Sequence, residues 1–430
     1  MAPSLPPGPP YPRPLQTLGW GFRPGPFMER CQRRYGDMFT LKIASEGTWV
    51  FVTHPDTVKQ VFTGDPRLLH AGEGNRVLMP LLGQNSVLLL DEDPHMRQRK
   101  LMLPPFHGER MRAYRDVMTS VTEAELERWP QGDPLELWPR MQAITLEVIV
   151  RTVFGVSDGE RLAALRSALR ELLEWGSDPR RLMVVAMLGP SRLEHIRSFT
   201  RVRDRADELL FEEIRERRSA PDLAERDDVL SMLLQARYED GSGMSDKELR
   251  DELMTLLVAG HETTATALSW AVERLVRHPE KLERLASGDE EYLDAVVKET
   301  LRLRPVLPIV LRRLTEPLEI GGRELPAGVA VAPCIYLMHR RPDVYPEPTR
   351  FRPERFLEQQ AGTYTWIPFG GGVRRCLGAT FAIFEMKVVL ETIAARLQLT
   401  PADPRSERIS RRLITLIPER GAQVVVGRAG

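Results

Sequence analysis

The stretch Phe369-Gly370-Gly371-Gly372-Val373-Arg374-Arg375-Cys376-Leu377-Gly378 carries the most reactive arrangement in the chain. Three consecutive glycines let a backbone take positive φ and approach something flat or bulky closely. Cys376 follows two arginines, and the amphipathic run Ala379, Phe381, Ala382, Phe384, Met386, Val388, Leu390 predicts a helix after it. The positive end of that helix and the charges of Arg374 and Arg375 favour the thiolate form of Cys376. A thiolate with loop N–H groups aimed at its sulfur is a ready axial metal ligand. An isolated cysteine in a turn is as often a small apolar packing residue, so the rest of the chain has to decide.

Ala259-Gly260-His261-Glu262-Thr263-Thr264 lies in the middle of a long apolar helix predicted over about Ser245–Arg277. Ser245-x-x-Glu248 is a capping box at its start, and His278-Pro279 stops it. A glycine inside a helix costs about 1 kcal/mol relative to alanine, and Thr263 can bond back to the Ala259 carbonyl and bend the helix. Such a helix, weakened beside a carboxylate and two hydroxyls, holds the groups for positioned proton transfer. The alternative is a tolerated kink with solvated polar residues. Glu299 and Arg302, on a helix predicted over Tyr292–Arg304, stand at i and i+3 and can pair.

The pattern Phe369-x-x-Gly372-x-Arg374-x-Cys376-x-Gly378 resembles the haem-binding loop of the haem-thiolate monooxygenases, the cytochrome P450 family. Ala259-Gly260-x-Glu262-Thr263, Glu299-x-x-Arg302 and Pro353-Glu354-Arg355-Phe356 resemble the family's other signatures, in the family's order. The resemblance spans nearly the whole chain. It implies haem b with Cys376 as proximal iron ligand, Arg374 on a propionate, and Phe369 packed near the sulfur, with Gly370 and Gly378 shaping the loop. His95 and Arg99 share one face of a helix that Asp93 would cap and Pro94 would begin. By spacing they are a solvated basic face or a seat for a dianion; the resemblance puts them on the propionates. It also places a propionate-binding arginine at Arg312 or Arg313, and we take Arg312. Ala259 and Gly260 would leave room for dioxygen, Thr263 would hydrogen-bond the reacting oxygen, and Glu262 would connect it to solvent protons. Glu299, flanked by Arg302 and Arg355, would be a buried acid locking the region under the haem.

The implied function is a monooxygenase that inserts one oxygen atom of dioxygen into a lipophilic molecule such as a fatty acid, terpenoid, steroid or macrolide-like compound. With no flavin or nicotinamide domain in the sequence, electrons are expected from a separate ferredoxin and its NAD(P)H-dependent reductase. A peroxide-driven peroxygenase and a non-catalytic haem-binding or sensor protein are the competing readings, and Glu262-Thr263 argues against both. Leu68–Leu90 lacks clean periodicity and predicts a long loop with short helical pieces, a feature that is usually functional. There Leu78, Leu81, Leu82 and Val87 either line a substrate pocket or pack the core. Val258, and Val306, Leu307 and Val310 on an edge strand predicted over Pro305–Leu311, are further pocket candidates. Leu182–Leu188 is either a buried element or a lid. Arg97, Lys100, Arg110, Arg112 and Arg115 form a local basic excess able to steer an acidic electron donor.

These groups need a scaffold that is mainly α with small β-sheets (α+β). We expect a proline-rich lead-in over 1–14 and a single large haem domain over 15–430. Hairpins are predicted for Asp37–Ile43 with Trp49–Thr53 and around Gly321-Gly322, a helix over Pro55–Phe62, a strand over Gly328–Cys334, and two last strands near Leu413–Ile417 and Gln423–Val426. Among 430 residues, 60 basic and 60 acidic side chains cancel, so no nucleic-acid partner is indicated. Three scattered cysteines, Cys31, Cys334 and Cys376, give no disulfide framework. Neither a signal peptide nor an apolar run of about 18 residues is present, so the expectation is a cytoplasmic, monomeric protein without a transmembrane anchor.

Overall fold

Two proline-started helices, Arg13–Phe22 and Pro24–Tyr35, come first. Proline suits the first helical turn, where the N–H has no partner anyway, and the first helix takes in Arg13 and Pro14, the last two residues of the expected lead-in. Gly25 is fixed by packing: a Cβ there would lie 2.6 Å from the Tyr336 hydroxyl. The proline-rich lead-in runs extended along the hairpin strand. The Pro7 carbonyl accepts from the Thr40 N–H at 2.9 Å and the Pro6 carbonyl from its hydroxyl at 2.7 Å. Buried Gln16 donates to the carbonyls of Pro9 and Tyr11 and accepts from the Lys42 N–H.

The computed structural model describes residues 5–44, 46–106, 110–155, 160–175, 181 and 190–428. Two compact units emerge. The first comprises Met1–His70, Met118–Thr145 and Glu262–Gly430, the second Ala71–Val117 and Leu146–His261. In the first unit, the hairpin Met38–Ile43 with Gly47–Val52 has Leu41 opposite Trp49. It extends through Ala330–Pro333, which pairs parallel, to Arg312–Leu314 and Leu69–His70. Phe39 stacks on Phe51, and Trp20 meets Trp49 and Phe51 edge-on, so the sheet's core face is aromatic. Gly321 and Gly322, both at positive φ, turn Leu318–Ile320 back onto Arg323–Leu325. Pro305–Leu311 is not a strand: Pro305 and Pro308 have no N–H to offer a ladder. What remains is single bonds: Val310 N–H to the Pro333 carbonyl, Tyr336 N–H to the Pro308 carbonyl and Leu416 N–H to the Val306 carbonyl. Thr415–Pro418 pairs with a strand the sequence did not announce, Ile409–Arg412, and Gln423–Arg428 lies between Pro134–Glu136 and Leu397–Pro401.

The Leu68–Leu90 region opens on the strand Leu69–His70 of the first unit; the rest, in the second unit, contains a 3₁₀ turn, Glu73–Leu78, and a short helix, Met79–Leu82. The next helix begins at Glu92 rather than after Asp93. Asp93 is therefore not its cap. Asp91 occupies that position, but its carboxylate accepts the N–H groups of Gly72 and Glu73 instead, and Pro94 is accommodated within the first turn. The basic excess is smaller than its residues suggest. Arg97 pairs with Asp240 at 2.8 Å and Lys100 with Glu239 at 2.7 Å. The side chains of Arg110 and Arg112, and the whole of Leu182–Leu188, lie outside the described residues. Buried Arg217 donates to Asp228, Glu213 and the Phe154 carbonyl, and Asp228 in turn caps Val229–Gln235.

The long helix, Asp246–Leu275, starts with the predicted box: Ser245 N–H donates to Glu248 at 2.8 Å, and Glu248 N–H to the Ser245 hydroxyl at 3.3 Å. Its first turns grip the preceding loop. Asp251 accepts from the Asn85 backbone and side chain, the hydroxyls of Thr255 and Ser86 hydrogen-bond each other at 2.7 Å, and Glu252 accepts the Val87 N–H at 2.7 Å. Burial pushes the Glu252 carboxyl up to about 8 against the pull of that N–H. The native state thus keeps a proton that the unfolded chain releases near 4.5, so stability falls as pH rises from about 4.5 to about 8. Glu252→Gln keeps the acceptor and cannot ionise. At about 1.4 kcal/mol per pH unit, the wild type is expected to lose a few kcal/mol relative to this variant across that window. Urea unfolding at both ends of the window checks it, and parallel pH dependences would refute it.

Candidate functional site

The glycine loop is shaped by a neighbouring helix as well as by its own turn. Gly370 and Gly372 have φ of +67° and +65°. A Cβ on Gly371 would lie 2.3 Å from the Phe62 ring, and one on Gly372 would lie 1.9 Å from the Phe62 carbonyl oxygen. The bulky neighbour that these two glycines admit is Phe62, at the end of the Pro55–Thr63 helix. At Gly370 a Cβ would make only an ordinary contact, 3.8 Å from Val310 Cγ1, and at Gly378 it would meet nothing within 4 Å. The Cys376 N–H donates to the Phe369 carbonyl at 3.0 Å, which closes the loop, and Ala379 begins the following helix with Gly378 at its N-cap position. Cys376 is exposed, whereas Cys31 and Cys334 are buried. Phe369, Arg374 and Gly378 are half-buried, and Phe369 meets Trp366 edge-on at 6.1 Å.

Beneath the loop, Glu299 and Arg302 are fully buried and Arg355 nearly so. Arg302 forks onto both Glu299 oxygens at 2.7 and 2.9 Å, and Arg355 reaches the same carboxylate at 3.1 Å. Sequence reasoning missed the connector between this cluster and the loop. His339 Nε2 accepts the Ile367 N–H at 2.9 Å while Nδ1 faces the Arg302 carbonyl at 3.2 Å. Burial, with the charges of Arg302 and Arg340, holds this imidazole well below its usual range, so it is neutral, with its proton on Nδ1. A lone histidine in Met338-His339-Arg340 carried no spacing signal.

The long helix continues unbroken through Ala259–Thr264. Gly260 has a packing reason: a Cβ there would lie 3.1 Å from Ile149 Cδ1. Glu262 and Thr263 are half-buried in the first unit. Burial raises the Glu262 carboxyl, opposed by the Arg412 charge and by a 3.0 Å hydrogen bond from Thr415. Arg312 is buried, with its guanidinium 6.0 Å from the Phe62 ring centre. Arg313 donates instead to the Gly328 carbonyl. Val306 is buried, and Leu307 and Val310 pack half-buried against the sheet core. In the second unit His95 is buried and Arg99 half-buried on one helix. Leu82 and Val87 are buried, Leu78 and Val258 are half-buried, and Ala259 is exposed between half-buried Val258 and Gly260.

The cytochrome P450 family model matches residues 6–426, which defines a haem-thiolate oxidoreductase, and known proteins agree. The putative cytochrome P450 135B1 of Mycobacterium tuberculosis is 47% identical over 439 residues, covering 98% of this chain and 91% of that one. The putative cytochrome P450 135A1 of the same organism is 41% identical over 428 residues, covering 98% and 95%. Among solved structures, the retinoic acid-bound cyanobacterial CYP120A1 matches with a TM-score of 0.85 at 24% identity, covering 100% of both chains. The chain belongs to the cytochrome P450 family. It is a P450 monooxygenase, and the family uses haem with a cysteine thiolate ligand, and dioxygen. The residues present fit that group: one exposed thiol just ahead of a helix start, open space at Gly378, and cationic side chains at Arg374 and Arg312. Among the described residues no helix is long and apolar enough to cross a membrane.

Proposed function

We propose that residues 15–430 act as one catalytic domain in which Cys376 ligates the haem iron and Glu262 and Thr263 pass protons to the reacting oxygen. The contrast among the three thiols carries this reading, since a ligand must be both accessible and ionisable. Phe369, Gly370 and Gly378 frame the cofactor, and Arg374, Arg312, His95 and Arg99 take its propionates. Arg312, rather than Arg313, lies over the ring that abuts the glycine loop. When bound, the haem supplies dioxygen activation and oxygen insertion. Glu262 holds a proton more readily than a solvated carboxylate does, and Thr263 follows it in the chain with a hydroxyl that can donate and accept. The substrate is lipophilic, because Leu78, Val258, Leu307 and Val310 are aliphatic and only half-covered. Electrons come from a separate ferredoxin and reductase, and the protein works as a cytoplasmic monomer.

The test uses a substrate found by spin-state screening of fatty acids, terpenoids and steroids. Glu262→Gln and Thr263→Ala are expected to cut ferredoxin-driven product formation by about 10²-fold or more while sparing peroxide-driven turnover. Equal losses on both routes, or none on either, would overturn the proton-delivery assignment.

A further inference from the structure

Glu262 belongs to the long helix, but its carboxyl is held from elsewhere. Oε1 lies 3.0 Å from Thr415 Oγ1, and the charge facing it is Arg412. Both residues sit on the hairpin of Ile409–Arg412 with Thr415–Pro418, flanking its turn. Thr415 Oγ1 is also 2.9 Å from the Arg412 carbonyl oxygen. A hydroxyl has one proton and two lone pairs, so it cannot donate to both oxygens at once.

That gives two complete arrangements on one set of heavy-atom positions. With Glu262 ionised, Thr415 donates to Oε1. With Glu262 protonated, the carboxyl O–H donates to Thr415 Oγ1, and the Thr415 proton turns to the Arg412 carbonyl. The Arg412 guanidinium lies 4.4 Å from the Trp138 ring centre, and the Trp138 Nε1–H donates to Thr266 Oγ1 at 3.1 Å. Thr266 is one turn beyond Glu262, so the charge is tied back to the helix that bears the acid. Burial favours the protonated carboxyl, while Arg412 and Thr415 favour the ionised one.

The geometry points to Thr415 and Arg412 as positioning residues that form a two-state seat for the Glu262 carboxyl, letting it give up and recover a proton without moving. This rests on the reading of Glu262 as the proton-delivering group. It adds that a hairpin near the C-terminus governs that group's readiness to exchange.

Infrared titration of the haem-loaded protein tests the seat through the carboxylic C=O band of Glu262, assigned by its loss in Glu262→Gln. Thr415→Val removes the hydroxyl at constant shape. It is expected to move the band to the frequency of an unbonded carboxyl and to raise its titration midpoint, while Thr415→Ser leaves both at wild-type values. Arg412→Gln should raise the midpoint by about one pH unit or more, and Arg412→Lys should largely restore it. If Arg412→Gln does not fold, the Thr415 pair still decides. Wild-type band and midpoint in folded Thr415→Val would overturn the seat. Failure of the underlying reading looks different: undiminished ferredoxin-driven turnover in Glu262→Gln, whatever Thr415→Val does to the band.

Discussion

Cys376→Ser is expected to abolish the thiolate signature in the spectrum of the reduced, carbon monoxide-bound protein, whereas Cys31→Ala and Cys334→Ala keep it. The three cysteines occupy different environments. Burial pushes the Cys31 thiol up to about 11 and the Cys334 thiol to about 12, so at pH 7 no more than about one molecule in ten thousand carries either as thiolate. Cys31 packs beside Trp20 and Met28 in the aromatic core, and the Cys334 sulfur lies 3.6 Å from that of Met28. Truncating either should cost stability of about 1–2 kcal/mol through lost packing and leave the ligand untouched. Cys376 is exposed, and its bond to the Phe369 carbonyl uses the backbone N–H, so serine preserves the loop closure. A serine hydroxyl does not ionise near neutral pH, so the thiolate ligand is lost without a change of shape. An unchanged signature in Cys376→Ser, or its loss in Cys334→Ala with the protein folded, would overturn the assignment.

Features written in local spacing were legible in the sequence. The capping box at Ser245, the Gly321-Gly322 hairpin and the β-hairpin near the start of the chain all depend on residues close together in the chain. Glu299 and Arg302 were also readable as a pair, because i, i+3 spacing puts them on one helix face. What tertiary contacts decide was not legible. The glycines at 371 and 372 suggested a close approach, but nothing in the sequence named Phe62 as the group approaching. His339 joins Arg302 to Ile367 across separated segments. The grip of Thr415 on Glu262 spans 153 positions. The Pro305–Leu311 strand failed for a reason that was visible, two prolines without N–H groups, but β-branched neighbours outweighed them. Asp91 shows the opposite case: a residue at a helix start whose carboxylate serves the loop behind it.

Arg302→Met should be the most damaging change outside the cysteine loop. Arg302 is fully buried. It donates to both Glu299 oxygens, to the His339 carbonyl at 2.7 Å, the Pro348 carbonyl at 2.8 Å and the Arg350 carbonyl at 3.3 Å. Methionine fills much of the volume and replaces none of these bonds. Glu299 would keep only Arg355 and the Arg352 N–H, and three carbonyls would lose their donor. Removing one partner of a buried pair costs about 3–5 kcal/mol, against a total stability of about 5–15 kcal/mol. The damage also has a path to the site. The Arg302 guanidinium holds the His339 backbone through its carbonyl, and the His339 ring accepts the Ile367 N–H two residues before Phe369. Haem retention should therefore fall along with the denaturant midpoint. A double variant separates charge from packing. Glu299→Leu with Arg302→Met removes both charges of this pair and leaves Arg355 as the Glu299→Leu single variant does, so it should be less destabilised than the sum of the two single changes, by about 1–3 kcal/mol. Strict additivity, or a single Arg302→Met variant unfolding at the wild-type urea concentration, would mean that the pair does not hold the loop's foundation and that its burial is incidental to the site.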